Sequence, residues 1–273
     1  MAAAELIRSR SNPLVQRLRG LKDAAGHGAF CLVEGPRLLL DALGSGVAMV
    51  EAAASPLAEE TPAGAQALRA LATAGIPVRR VDERLLASLS EVETSQGILA
   101  IASRPHFEPA RLFTGSPRIV VAVGLQNPGN LGNLLRTAEA AGATGAYLTA
   151  GTADPLSAKA LRGSMGSAFR LPHVRGGSVD DALDEVKGRG VALAATVAHD
   201  GTPYDAAPLS GPLAFLFGNE SVGLPSKVEA RADLRLTIPM HAPVESLNVG
   251  VAAGILLFEA ARQRGKGGYA HSG

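Results

Sequence analysis

The run RIVVAVGL at residues 118–125 restricts the fold more than any other stretch of the chain. It has no alternation of polar and apolar residues. As a strand it therefore needs cover on both faces, which parallel sheets flanked by helices provide. It passes through the turn-rich QNPGN into LGNLLRTAEAAG, whose leucines recur at helical spacing. Further apolar runs repeat the theme, with AYLTA, VALAATVA, PLAFLFG and LRLTIPM as strands and a long closing helix over SLNVGVAAGILLFEAARQR. The expectation for residues 118–264 is an α/β fold with a mainly parallel sheet and flanking helices.

A second α/β pattern precedes it. FCLVEG reads as a short buried strand, and Pro36 opens the helix PRLLLDAL. VAMVEAAA, IPVRRVD and GILAIASRP follow as strands, separated by the helices TPAGAQALRALATAG and ERLLASLSEV. This gives a small α/β sandwich over residues 1–105, a proline-rich linker at 106–117, and a polar, glycine-rich tail at 265–273 that reads as disordered. At 273 residues, 47% hydrophobic and 19% charged, the chain is long enough for two such domains. No cluster of catalytic residue types stands out in the first, which reads as a recognition or scaffolding module.

The net charge of +1 does not advertise a nucleic-acid partner, so any electrostatic case rests on where the charges sit. Arg8, Arg10, Arg17, Arg19 and Lys22 form a basic arm on a helix that Pro13 can start. Lys159, Arg162, Arg170 and Arg175 form a second basic stretch. Each is either a solvated face or a set of RNA phosphate contacts. The single cysteine, Cys31, sits among apolar neighbours and reads as a buried, inert thiol in a reducing compartment. No signal-peptide pattern and no apolar run of about 18 residues is present, so the expected location is cytoplasmic, without membrane contact. His27, His106, His173, His199, His241 and His271 show no ligand spacing with carboxylates or the cysteine, and no metal is expected.

Three segments carry chemistry. In the first, QNPGNLGNLLRT at 126–137, a turn-rich loop joins a strand's C-terminal end to a helix N-terminus, the edge where open α/β sheets bind ligands. Asn130 is a candidate helix cap, and Arg136 shares a helix face with Asn133. In the second, FGNESVGL at 217–224, glycine lets backbone approach a ligand and Glu220 arrives at another strand end. In the third, Ile238 and Met240 offer apolar surface to an adenine or a thioether, while Ser246 and Asn248 stand at the mouth of the closing helix. A cap for that helix accounts for only one of those two.

Taken together, the order and spacing of these segments resemble the three motifs of the SpoU (TrmH-like) family of SPOUT RNA 2′-O-ribose methyltransferases. SNPLVQRLRGL and FCLVEGPRLLLDAL resemble the ribosomal-protein-like substrate-binding domain of its ribosomal-RNA members. The resemblance implies a deep trefoil knot, a homodimer, S-adenosylmethionine as methyl donor and ribosomal RNA as substrate. By motif position it assigns Gly218, Asn219, Ile238, Met240 and Leu247 to the cofactor, and Asn130, Arg136, Glu220, Ser246 and Asn248 to catalysis.

A ribose 2′-hydroxyl is a poor nucleophile at neutral pH, so its attack on a sulfonium methyl needs alignment and a place for the proton. Arg136 is nominated by the resemblance, yet a guanidinium loses its proton only above about pH 12. Stabilising the developing alkoxide and the adjacent phosphate suits it better, with Glu220 orienting it and Ser246 and Asn248 positioning it or the substrate. Three other readings stay in view. A dinucleotide-binding oxidoreductase is disfavoured because NPGNLGN lacks the G-x-G-x-x-G spacing. A non-catalytic RNA-binding protein would have no use for Arg136, Glu220, Ser246 and Asn248 together. Transfer RNA is the alternative substrate.

Overall fold

The computed structural model describes residues 6–23, 28–92 and 94–265, and the chain divides into two compact units. The tail from residue 266, with His27 and His271, lies outside the described residues. The first unit opens with α1 (Pro13–Asp23), β1 (Phe30–Glu34), α2 (Pro36–Gly44), β2 (Met49–Ala54) and α3 (Pro56–Glu60). It continues with α4 (Pro62–Thr73), β3 (Val78–Arg80), α5 (Glu83–Ala87) and β4 (Ile98–Ser103). Its mixed sheet runs β1-β4-β2-β3, with β4 antiparallel to both neighbours and β2 parallel to β3. Central β4 is apolar and buried from Ile98 to Ala102 because both faces are covered, and Leu99 and Ile101 pack with Leu14, Leu18 and Leu86.

The helix expected over ERLLASLSEV is shorter than its apolar period suggests. Asp82 caps its start by accepting from Leu85 N, while Ser88 Oγ donates back to the Leu85 carbonyl and the chain turns away. Burial pushes the Cys31 thiol up to about 12, in keeping with an inert buried group.

The second unit holds a 3₁₀ turn (Pro109–Phe113), β5 (Arg118–Ala122), α6 (Pro128–Ala140) and β6 (Gly145–Leu148). The chain then leaves it for α7 (Ala158–Ser164) and α8 (Ser167–Arg170), which pack with the first unit. It returns through β7 (His173–Arg175), α9 (Val179–Gly188), β8 (Ala192–Thr196), β9 (Thr202–Pro203) and β10 (Leu213–Phe217). The last elements are α10 (Ser226–Glu229), β11 (Leu234–Thr237) and α11 (Val249–Arg264). All seven strands are parallel, in the order β7-β6-β5-β10-β8-β11-β9.

The uninterrupted apolar runs sit where the sheet is covered on both sides: β10, LAFLF, is buried end to end beside β5. α6 and α11 lie against each other at glycines. A Cβ on Gly250 would stand 3.0 Å from Asn133 Cβ, and one on Gly254 would stand 3.7 Å from Thr137 Cγ2. This close packing brings the start of α11 to the start of α6, from opposite ends of the unit's sequence.

The excursion 154–170 is held to the first unit by Arg104, whose Nη1 donates to Asp154 Oδ2 at 3.0 Å. The second basic stretch is thus not a free cationic face of the second unit. Lys159 is exposed, but Arg162 Nη1 lies 3.9 Å from carboxylate oxygens of both Glu34 and Glu91. In the N-terminal arm, Arg8, Arg10 and Arg19 are exposed, whereas Arg17 pairs with Glu51.

Candidate active site

The loops after β5, β8, β10 and β11 gather at the C-terminal edge of the sheet around a cavity of about 680 Å³. The β5 loop is shaped by asparagine. Asn127 is the N-cap of α6, accepting from Gly129 N at 2.9 Å and Asn130 N at 3.3 Å, with Pro128 at the first helical position. The cap expected at Asn130 therefore falls on Asn127. A proline at the first helical turn places the cap on the residue before it.

Asn130 is thereby left to join the motifs. Its Nδ2 donates to Glu220 Oε1 at 3.1 Å, and its Oδ1 accepts from Asn248 Nδ2 at 2.9 Å. Glu220 also accepts from Asn127 N at 3.1 Å and Gln126 N at 3.3 Å. Partial burial pulls its pKa upward. Hydrogen bonds from its own N–H, the Asn130 amide and the two backbone N–H groups outweigh that and leave it below the ordinary carboxylate value. Asn248 serves twice: its Oδ1 accepts from Gly250 N at 2.9 Å to cap α11, while its amide reaches Asn130.

The loop after β10 is equally constrained. Asn219 and Gly223 exchange backbone hydrogen bonds, Gly223 takes φ +69°, and Asn219 Nδ2 donates to the Gly124 carbonyl at 2.9 Å. A Cβ at Gly218 would fall 2.2 Å from the Gly223 carbonyl carbon, so only glycine fits.

The five residues assigned to the cofactor all line this cavity: Gly218, Asn219, Ile238, Met240 and Leu247. Asn130, Glu220, Ser246 and Asn248 line it too. Arg136 does not; it stands exposed on α6, two turns from the cap. Sequence reasoning misses Asn127 and the wall Val197-Ala198-His199 after β8. The rule that ligands meet the C-terminal ends of parallel strands points to the latter.

The cavity fits a cofactor with an apolar base and polar flanks. Half-buried Ile238 and Met240 offer the first surface, and the close-approach glycine and the amides around it offer backbone and side-chain polar groups. Among the described residues no group of three His, Cys, Asp or Glu side chains could hold a metal, and no helix is long and apolar enough to cross a membrane.

A parallel-sheet unit whose strand-end loops are hydrogen-bonded around such a cavity has the architecture of the α/β proteins that bind ligands at the C-terminal ends of their strands. Residues 117–258 match the SpoU rRNA methylase family, and residues 12–100 match an MRM3-like substrate-binding domain. The chain belongs to the SpoU family; it is an RNA 2′-O-methyltransferase with S-adenosylmethionine as its donor.

The Bacillus subtilis 23S rRNA (guanosine(2553)-2′-O)-methyltransferase RlmP is 37% identical over 184 residues, 67% of this chain and 72% of that one. The RlmB of Ralstonia nicotianae, a 23S rRNA (guanosine-2′-O-)-methyltransferase, is 31% identical over 202 residues, 72% of this chain and 81% of that one. The AdoMet-bound rRNA methyltransferase of Sinorhizobium meliloti superposes with a TM-score of 0.81 at 30% identity, covering 94% of this chain and 97% of that one.

Proposed function

We propose that this enzyme methylates a ribose 2′-hydroxyl of ribosomal RNA in the cytoplasm, with residues 1–105, joined by the excursion 154–170, acting as the RNA-binding domain and the rest of 118–264 as the catalytic one. The observation that carries the catalytic reading is the hydrogen-bonded run Glu220–Asn130–Asn248, which ties all three motif segments together at one cavity. Gly218, Asn219, Ile238, Met240 and Leu247 would hold S-adenosylmethionine. When bound, that group supplies an electrophilic methyl on a sulfonium.

The chain's own residues then have distinct tasks. Glu220, ionised and engaged by three hydrogen-bond donors, is a poor proton acceptor at neutral pH and a good clamp. It fixes the Gln126–Asn130 turn. Asn130 and Asn248 present a rigid pair of amides to the substrate side, and Ser246 stands beside them as a hydroxyl partner for the ribose. Arg136 remains a cation that stabilises the developing alkoxide and the neighbouring phosphate.

Because Arg136 is exposed and outside the cavity of its own chain, it is best brought there by a second copy. α11 carries an uncovered apolar stripe beside α6, with Val251 52% and Phe258 41% exposed and Ile255 half-buried between them. A homodimer seated on this stripe covers it and carries α6 of one copy towards the cavity of the other. The implied knot is also part of this reading. β11 is separated from β5 by β8 and β10, yet the chain after it returns to Asn130 beside β5 and so crosses the strand-end loops.

The test is methyl transfer from isotopically labelled S-adenosylmethionine to ribosomal and transfer RNA, followed by alkaline hydrolysis. Label retained in an alkali-resistant dinucleotide of ribosomal RNA is expected. Label on a base, or on transfer RNA alone, overturns the proposal.

A further inference from the structure

The first unit contains a second cavity, of about 480 Å³, that shares no lining residue with the catalytic one. Leu38 of α2, with Leu161 and Met165 of the 154–170 excursion, supplies its apolar walls. Its charged lining is mixed in sign, Glu34 and Asp41 against Arg37 and Arg162, with Thr94 and Gln96 as neutral polar groups.

Glu34 is buried and firmly placed. Its Oε1 accepts from Ser90 Oγ, and its Oε2 accepts from Glu91 N at 3.1 Å. Arg162 Nη1 is buried without a hydrogen-bond partner, and its 3.9 Å separation from the Glu34 and Glu91 oxygens is too long for a hydrogen bond. Such a donor costs free energy unless something accepts from it. Met165, which lines the cavity, ends α7 in the left-handed region at φ 49°, a conformation that costs free energy for a residue with a side chain.

This chemistry selects its ligand. A lone phosphate would satisfy Arg162 but would offer no donor to the neighbouring carboxylates Glu34 and Asp41, so the mixed lining favours a group that both accepts and donates. A neutral planar group with acceptors on one side and adjacent N–H donors on the other suits it, one face against Leu38 and Met165. Guanine offers O6 and N7 to the guanidinium, and N1–H with the exocyclic amine to a carboxylate. Adenine and cytosine lack the paired donors, and uracil has a single ring N–H.

We propose that this cavity takes up the base of an unpaired guanine in the RNA, a recognition nucleotide separate from the one methylated. The proposal rests on the RNA-methylating reading above, and it recasts Arg162 as a base contact in place of a phosphate contact.

The experiment titrates the full chain with GMP, AMP, CMP and UMP by calorimetry, and repeats it with Arg162→Gln and with Leu38→Trp, which fills the cavity. GMP is expected to bind at least tenfold more tightly than UMP. Each variant should weaken GMP and raise KM for RNA on the order of tenfold, with kcat and S-adenosylmethionine affinity unchanged. GMP bound no better than UMP, or bound equally by wild type and Arg162→Gln, overturns the proposal. Wild-type methyl incorporation measured alongside distinguishes the two failures: a chain that methylates RNA but ignores GMP retains its activity and loses only this site. Leu38→Trp is read only where its melting temperature matches wild type, and Arg162→Gln decides otherwise.

Discussion

A primary amide carries a donor and an acceptor on one rigid plane, and Asn130 uses both, one towards Glu220 and the other towards Asn248. Asn130→Asp keeps the shape but removes the donor and sets a second carboxylate against Glu220. Turnover is expected to fall on the order of 10²–10³, measured in single-turnover methylation, with S-adenosylmethionine affinity nearly unchanged. Glu220 gives a pH signature. Its folded value lies below its unfolded one, so its stabilisation is complete above about pH 4.3, the ordinary glutamate value, and is lost as pH falls through the lowered folded value. Glu220→Gln should flatten the acid limb of melting temperature against pH; an unchanged limb would show that the carboxylate is not held as described.

Among the elements, the loop after β10 is the least tolerant of change. Gly218→Ala places a methyl 2.2 Å from the Gly223 carbonyl carbon, so the loop must open. Cofactor affinity should drop at least tenfold, while far-ultraviolet circular dichroism stays that of the wild type. Retained affinity would mean that the loop does not shape the cavity. Elements built on continuous apolar runs, such as β5, β10 and α11, are legible in the sequence, and so is the placing of three motifs at strand ends. Short elements of mixed composition are not. α3, α8 and β9 span five, four and two residues, below the length at which a period can be read. β7 reads as part of a basic stretch because an edge strand of three residues carries His173 and Arg175 around one apolar side chain. The Asn127 cap is hidden because Asn130 has the same capping chemistry, and only Pro128 distinguishes the two. The pairing of Arg162 with Glu34 and Glu91 depends on contacts across 128 and 71 positions, which local pattern cannot reveal.

For the whole molecule, the position of Arg136 makes the assembly testable. If a second copy supplies this residue, Arg136→Ala and Glu220→Ala chains, each nearly inactive alone, should recover up to about a quarter of wild-type activity when refolded together in equal amounts. No recovery would place Arg136 with the cavity of its own chain. Phe258→Glu should yield monomers in light scattering and lose activity with them, because a carboxylate in the stripe cannot be buried there without a partner.

The excursion 154–170 has a consequence for modularity. A domain that borrows α7 and α8 from the middle of another domain's sequence cannot be transplanted as one continuous segment. A chimera that exchanges residues 1–105 for those of a relative receives the donor's Glu34 and Arg104 positions but keeps the host's Arg162 and Asp154. RNA preference in such hybrids would follow the compatibility of the two pieces, and successful exchanges of specificity would have to move both together.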